Sequence, residues 1–74
     1  MQVQRLLNMQ VIINGFPEEV PQNSTVAEII DGNQEFEVHM IAELNHRFVH
    51  QNDYPTTVLK EGDVLELIHA AFGG

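Results

Sequence analysis

The 74-residue sequence has no cysteine and no tryptophan. Without cysteine the chain has no disulfide, no iron–sulfur cluster, no thiolate zinc site and no cysteine nucleophile. Small secreted domains usually depend on disulfides, so we expect this chain to be cytoplasmic. No apolar run approaches the roughly 20 residues that a membrane span needs, and no signal-peptide pattern opens the chain.

Basic residues are also scarce, with three Lys and Arg residues against 11 acidic ones and a net charge of −8. A nucleic-acid-binding protein neutralises several phosphates with Lys and Arg, and Arg5, Arg47 and Lys60 are too few for this. The same shortage argues against binding to an anionic membrane surface. We therefore expect a partner protein with a basic face, attracted at long range.

The composition indicates one small folded domain, with 43% hydrophobic and 19% charged residues. Met1–Val3 recurs as Met9–Val11, where the first clear strand begins. We expect residues 1–8 to be a flexible N-terminal extension, residues 9–69 a domain, and residues 70–74 a flexible C-terminal tail. Met1 and Met9 both remain open as the natural start.

Alternation of apolar and other residues predicts strands over Met9–Asn14, Phe16–Val20, Val38–Asn45, Phe48–Val49 and Val64–His69. Asn14–Gly15 is typical of a type I′ hairpin turn, and Asn45–His46 is a weaker turn signal. Pro17 and Pro21 predict that the second strand lies at a sheet edge, because proline donates no hydrogen bond to a neighbouring strand. Residues 52–59 are predicted to be a loop, followed by a turn over residues 60–63.

The one predicted helix lies between the second and third strands. Thr25 and Glu28 have the spacing of a capping box, and Gly32 suits the helix end. The apolar stripe would consist of Val26, Ile29 and Ile30. The sequence therefore predicts an α+β domain in which one helix packs across a mixed sheet of four to five strands.

The sequence ends in Gly73–Gly74. Glycine lets the backbone pass a narrow channel and adopt conformations that other residues avoid. The pair is consistent with a terminal carboxylate that enters another protein's active site, or with a frayed end that has no function.

Several segments, in this order and spacing, resemble the ThiS family of sulfur carriers, which are ubiquitin-like β-grasp proteins. These segments are Met9–Gly15, Thr25–Ile30, Glu43–Asn45, Tyr54–Leu67 and Gly73–Gly74. The resemblance covers residues 9–74. It implies a β-grasp fold and a protein that is a substrate of partner enzymes rather than an enzyme, with no bound cofactor.

The resemblance also implies the chemistry and the partners. In the family, an E1-like activating enzyme of the ThiF type uses ATP to adenylate the last glycine, and a cysteine desulfurase or another persulfide donor supplies sulfur. The resulting thiocarboxylate gives its sulfur to thiazole synthase (ThiG type) for thiamin. Gly74, preceded by Gly73, would be the sulfur-carrying residue. Two alternatives remain open, namely a molybdopterin synthase small subunit with the same chemistry and a noncovalent β-grasp interaction module.

A docking surface is expected on the sheet face away from the helix, where apolar residues have an acidic rim. The candidate partner-binding residues on this face are Ile12, Ile41, Ile68, Glu43 and Glu66. Scattered surface apolar residues, which are normal in small proteins, are the alternative. Phe72 either anchors in a partner's pocket or folds back on the domain. We expect the chain alone to be a monomer.

Four histidines raise the question of a metal site: His39, His46, His50 and His69. His46 and His50 are four residues apart, but this spacing does not bring side chains together in a turn and a strand. We therefore expect ordinary surface histidines and no metal. Glu18 and Glu19 alternate between strand faces, so we expect no acid–base pair there.

Overall fold

The computed structural model describes residues 8–32 and 40–69, apart from the side chain of His69. The five strands are β1 (Asn8–Ile13), β2 (Phe16–Pro21), β3 (Met40–Leu44), β4 (Arg47–Val49) and β5 (Val64–His69). Helix α1 (Val26–Asp31) follows β2, and a 3-10 helix (Gln51–Thr56) follows β4.

The strands form one mixed sheet in the order β2-β1-β5-β3-β4. β1 and β5 are parallel, and the other neighbouring strands are antiparallel. The last strand of the chain is therefore the central strand of the sheet. This is the ubiquitin-like β-grasp fold, and the prediction of an α+β domain with a mixed sheet and one α-helix is confirmed.

Two tight turns join neighbouring strands. Asn14 and Gly15 have φ angles of 52° and 88°, and Asn45 and His46 have φ angles of 51° and 69°. Positive φ at both central residues defines the type I′ turn, whose twist matches that of the flanking strands. The predicted Asn14–Gly15 turn is confirmed, and Asn45–His46 adopts the same geometry without a glycine.

β2 lies at a sheet edge, as its prolines predict. Pro17 is opposite Ile12 and Pro21 is opposite Asn8. The Ile12 N–H donates to Asp63 O at 2.9 Å, away from β2. Ile12 and Pro17 are therefore a pair that exchanges no backbone hydrogen bonds, and an N–H at position 17 would point away from the sheet. The N–H that Pro17 lacks removes no hydrogen bond from the sheet.

Helix α1 begins with the predicted capping box. The Glu28 N–H donates to Thr25 Oγ1 at 3.2 Å, and the Thr25 N–H donates to Glu28 Oε1 at 3.0 Å. The two bonds satisfy backbone donors that a helix start otherwise leaves unpaired. Val26 is fully buried, Ile29 and Ile30 pack partly on the core, and Gly32 caps the end.

The core lies between α1 and one face of the sheet. Its buried residues are Met9, Val11, Val26, Met40, Ala42, Tyr54, Leu59, Leu65 and Leu67. In β5, Leu65 and Leu67 are buried while Glu66 and Ile68 are exposed, as the alternation predicts. The alternate residues of the strands therefore lie on the sheet face opposite α1.

Some boundaries differ from the predictions. β1 begins at Asn8 because Asn8 pairs with Pro21, which extends both strands by one residue. Residues 51–56 form a 3-10 helix, most of which lies in the predicted loop over residues 52–59. The Asp53 N–H donates to His50 O at 2.8 Å within it, and the buried Tyr54 hydroxyl ties it to Met40 O at 2.9 Å. The predicted start of the third strand at residues 38–39, residues 1–7 of the predicted N-terminal extension and residues 70–74 lie outside the described residues.

Candidate functional site

The described part of the predicted site is the sheet face opposite α1, while Phe72, Gly73 and Gly74 lie outside the described residues. We call this surface the outer face. Strand register and alternation place Ile12, Ile41, Glu43, Phe48, Val64, Glu66 and Ile68 at its centre. Gln10, Pro17 and Glu19 lie on the same face, towards the β2 edge.

The five predicted partner-binding residues in the described segments lie on the outer face. Ile41 stands opposite Ile68, and Glu43 stands opposite Glu66, on adjacent strands β3 and β5. Ile12 lies on β1 opposite Val64. The structure thus brings the predicted residues together on one surface, and their role in partner binding stays a prediction.

The apolar residues of the outer face are accessible to a partner. The exposed fractions are 36% for Ile41, 43% for Ile68 and 59% for Phe48. Burying a large apolar side chain contributes about 1.5–3 kcal/mol relative to leaving it exposed. Contact with a second protein would therefore gain binding free energy at three neighbouring strands.

Phe48 belongs to the outer face but was not among the predicted site residues. It lies opposite Glu43, and its ring makes an edge contact with His50 at a centroid distance of 4.9 Å. A two-residue turn at Asn45–His46 fixes the pairing of residues 43 and 48, so the turn motif contained this information. The aromatic ring extends the apolar surface to the edge of the sheet.

Glu43 and Glu66, two carboxylates at the centre of the outer face, are an unfavourable pair within the free domain. Glu43 and Glu66 lie directly opposite each other in an antiparallel pair. Like charges at such positions destabilise a sheet. Arg47 is the neighbour of Phe48 in β4, so it belongs to the other sheet face. A cationic group from a partner would offset the repulsion between the two carboxylates.

Asparagine side chains fix the position of β5 on both sides. Asn14 Oδ1 accepts from the Leu67 N–H at 2.8 Å, and Asn45 Oδ1 accepts from the Val64 N–H at 2.9 Å. Asn45 Nδ2 also donates to Asp63 Oδ1 at 3.0 Å. Sequence reasoning treated both asparagines only as turn residues and missed these contacts, which depend on the sheet order.

β5 runs past the end of the β1–β2 hairpin. Its bond to the Asn14 side chain is made by Leu67, so Ile68 and His69 lie beyond the turn while still pairing with β3. Residues 70–74 continue from this central strand. Five residues reach at most about 16 Å when fully extended, which bounds the distance of Gly74 from the end of β5.

Other features of the described residues do not form a chemical site. Burial raises the pKa of the Tyr54 phenol above its ordinary value, but its hydroxyl holds Met40 O inside the core. No cluster of three or more His, Asp or Glu residues suited to a metal ion occurs in residues 8–32 and 40–69. Within those same ranges, no helix is long and apolar enough to cross a membrane.

Comparison with known proteins places these observations in a family. No match was found among curated proteins. Among solved structures, the thiamine biosynthesis protein ThiS from Geobacter metallireducens superposes with a TM-score of 0.77 and 25% identity, covering 89% of this chain and 100% of that one. The ThiS family profile matches residues 8–74, which include the outer face and both final glycines. The chain belongs to the ThiS family.

Proposed function

We propose that this protein is a sulfur carrier of thiamin biosynthesis that acts through the carboxylate of Gly74. The family match over residues 8–74 carries this proposal, because it includes the Gly73–Gly74 end as well as the folded domain. The similarity to a thiamine biosynthesis protein supports the same pathway. In this role the chain is a substrate of enzymes in the cytoplasm and not itself a catalyst.

The proposed chemistry begins with activation of the carboxylate. A carboxylate is a poor electrophile because its charge is delocalised. Attack of a Gly74 oxygen on the α-phosphorus of ATP, in the site of an E1-like enzyme, releases pyrophosphate and forms an acyl-adenylate. Its carbonyl carbon is open to nucleophiles.

Sulfur then replaces the adenylate. The terminal sulfur of a persulfide attacks the carbonyl carbon and AMP leaves, which gives an acyl disulfide. A thiol cleaves the sulfur–sulfur bond and leaves a thiocarboxylate on Gly74. Its sulfur is a nucleophile that thiazole synthase would receive.

The outer face is the proposed docking surface for these enzymes. Ile41, Ile68 and Phe48 supply an apolar centre, and the Glu43–Glu66 pair favours a Lys or Arg from the partner. Docking by the folded domain leaves residues 70–74 to reach the buried active site. The reach of about 16 Å suits such a division of roles.

Deletion of Gly74 tests the chemical part of the proposal. The chain is incubated with ATP and the activating enzyme, and intact mass reports the adenylate. We expect full loss of adenylation without Gly74, with an unchanged thermal unfolding midpoint, because a last residue without a side chain contributes little to stability. Deletion of residues 1–7 is the matched control and should leave adenylation intact. Adenylation of the chain that lacks Gly74 would contradict the proposal.

Substitution at Ile68 tests the docking part. We expect Ile68→Ala to weaken binding to the activating enzyme by about fivefold to tenfold, because truncation of a central interface residue costs about 1 kcal/mol or more. Val58 is the control, since it is 45% exposed against 43% for Ile68 but lies outside the sheet. Calorimetric titration of both variants gives the comparison. If Ile68→Ala and Val58→Ala bind the activating enzyme with equal affinity, the outer face is excluded as its docking surface.

A further inference from the structure

A groove lies between β2 and α1, on the side of the sheet opposite the outer face. We propose that this groove is a second docking surface, and that it holds an amphipathic, positively charged helix of a partner protein. Its volume is about 390 Å³, at the lower end of the range of ligand pockets. A space of this size receives side chains from a helix laid along it. The proposal does not depend on sulfur transfer.

Apolar side chains form the floor of the groove. Ile13, Val20 and Ile29 line it, and each packs partly against the core, so the floor is fixed in place. Phe16 stands opposite Ile13 at the end of the hairpin and is 69% exposed, the largest value among the large hydrophobic residues in the described ranges. An exposed aromatic ring beside a fixed apolar floor is typical of a protein interaction surface.

The rim of the groove is acidic. Glu18 lies between Phe16 and Val20 on the same face of β2, and Glu28 faces it from α1. Among the lining residues in the described part of the chain there is no Lys and no Arg. Two carboxylates without a neighbouring cation attract a cationic partner and disfavour an acidic one.

The edge of β2 excludes docking by strand addition. A partner strand needs backbone donors along the edge. Glu19 presents an outward N–H because it lies opposite Gln10, but Pro17 and Pro21 at the equivalent positions have none. A helix needs no such donors and contributes side chains alone. The groove thus favours a helix with apolar residues on one face and basic residues beside them.

The groove lies near the last residues of β5, the central strand of the sheet. Asn14 lines the groove and also accepts the hydrogen bond from the Leu67 N–H, just before residues 68 and 69 complete β5. A helix bound here would be close to the last described residues of β5. Because it occupies the helix side of the sheet, it leaves the outer face free for another partner.

Titration of the isotopically labelled full chain with two designed helical peptides of equal length tests the proposal. One peptide combines Leu with Lys, and the other combines Leu with Glu. We expect the Leu–Lys peptide to shift the backbone NMR signals of Phe16, Val20 and Ile29 and the Leu–Glu peptide to shift none. Phe16→Ala should lower the affinity for the Leu–Lys peptide at least about fivefold without changing the thermal unfolding midpoint of the chain.

Charge reversal on β2 supplies a matched pair of variants. Glu18→Lys should lower the affinity for the Leu–Lys peptide at least about fivefold. Glu19→Lys, which makes the same change on the opposite face of β2, should lower this affinity less than about twofold. Equal effects of the two variants, or shifts confined to the outer face, would show general attraction to an acidic protein and overturn the proposal. Concentration-dependent shifts without peptide would assign the groove to a second copy, and contacts with residues 33–39 in the free chain would assign it to the chain itself. Both results would also overturn it.

Discussion

At the residue scale, the Asn45–His46 turn contains two non-glycine residues with positive φ. This conformation costs a residue with a Cβ atom about 1–2 kcal/mol, less for Asn. Asn45 offsets its cost through hydrogen bonds to Asp63 and to the Val64 N–H. His46 holds the second turn position, where the other hairpin has Gly15.

We predict that His46→Gly raises the free energy of unfolding by about 0.5–1 kcal/mol, because glycine adopts positive φ without a steric cost. Urea denaturation measures the change. Asn45→Gly is the control in the same turn: it relieves the same kind of conformation but removes both side-chain hydrogen bonds, so it should lower stability. A less stable His46→Gly chain would contradict this account of the turn.

Tyr54 connects the 3-10 helix to β3. Its hydroxyl donates to Met40 O inside the core. Desolvation by burial raises the pKa of Tyr54 above its ordinary value of about 10, and a backbone hydrogen bond of Ala42 opposes this shift only in part. The folded chain therefore holds the phenolic proton more tightly than the unfolded chain does.

This pKa shift predicts the direction of a pH effect. The stabilisation is complete below the unfolded pKa of about 10 and is lost as pH rises through the higher folded pKa. Tyr54→Phe should remove that alkaline decline, and it should lower stability near neutral pH by about 1–3 kcal/mol because Met40 O loses its partner. Urea midpoints measured across this pH range test both effects. Since Tyr54 is the only tyrosine, phenolate absorbance reports its titration directly. A phenolate that forms at or below the ordinary value would contradict the assignment.

At the scale of elements, β5 depends on side chains as well as on its neighbouring strands. The Leu67 N–H uses Asn14 Oδ1 as its acceptor, and the Val64 N–H uses Asn45 Oδ1. Each asparagine begins a type I′ turn, so one residue both closes a hairpin and holds the central strand. This arrangement fixes the strand from which residues 70–74 continue.

We predict that Asn14→Gly increases hydrogen exchange at the Leu67 amide, because glycine keeps the turn geometry but removes the acceptor. Leu67 lies in the core, so the amide would be left without a partner. The Val64 amide is the internal control and should keep its protection. Asn45→Gly should have the opposite effect: the Val64 amide should lose its protection from exchange, and the Leu67 amide should keep it. Unchanged exchange at Leu67 in Asn14→Gly would show that this bond does not hold the strand.

Local patterns predicted most elements because their signals are contained in a few neighbouring residues. Alternation defined β5, the Asn14–Gly15 pair defined a hairpin, and Thr25 with Glu28 defined the start of α1. The 3-10 helix was missed since Tyr54 is held by a carbonyl 14 residues away. Such a contact exists only after the sheet has formed.

At the scale of the whole molecule, the outer face was predictable in part. Alternation places Ile41, Glu43 and Ile68 on one side of their strands, but only the register puts Glu43 opposite Glu66 and beside Phe48. The groove required more, because it lies between α1 and β2, two elements whose relative position follows from the tertiary fold. Sequence patterns indicate which residues face outward, and tertiary packing determines which of them are neighbours.

The two proposed surfaces and the final glycines divide the molecule into separate roles. In the proposed roles, the outer face would dock an enzyme, the groove would receive a positively charged helix, and Gly74 would carry the reacting carboxylate. A net charge of −8 favours basic partners at both surfaces. β5, the strand before residue 70, lies at the centre of the sheet, where it would support the proposed reaction of the terminal carboxylate.

The most direct test is the mass of the intact chain after reaction with the activating enzyme, ATP, a persulfide donor and a thiol. The account predicts a gain equal to the replacement of one oxygen atom by sulfur, with fragmentation assigning the change to Gly74. Omission of ATP should abolish the gain. An unchanged mass with all components present, or sulfur located on another residue, would contradict the claim that the Gly74 carboxylate carries sulfur.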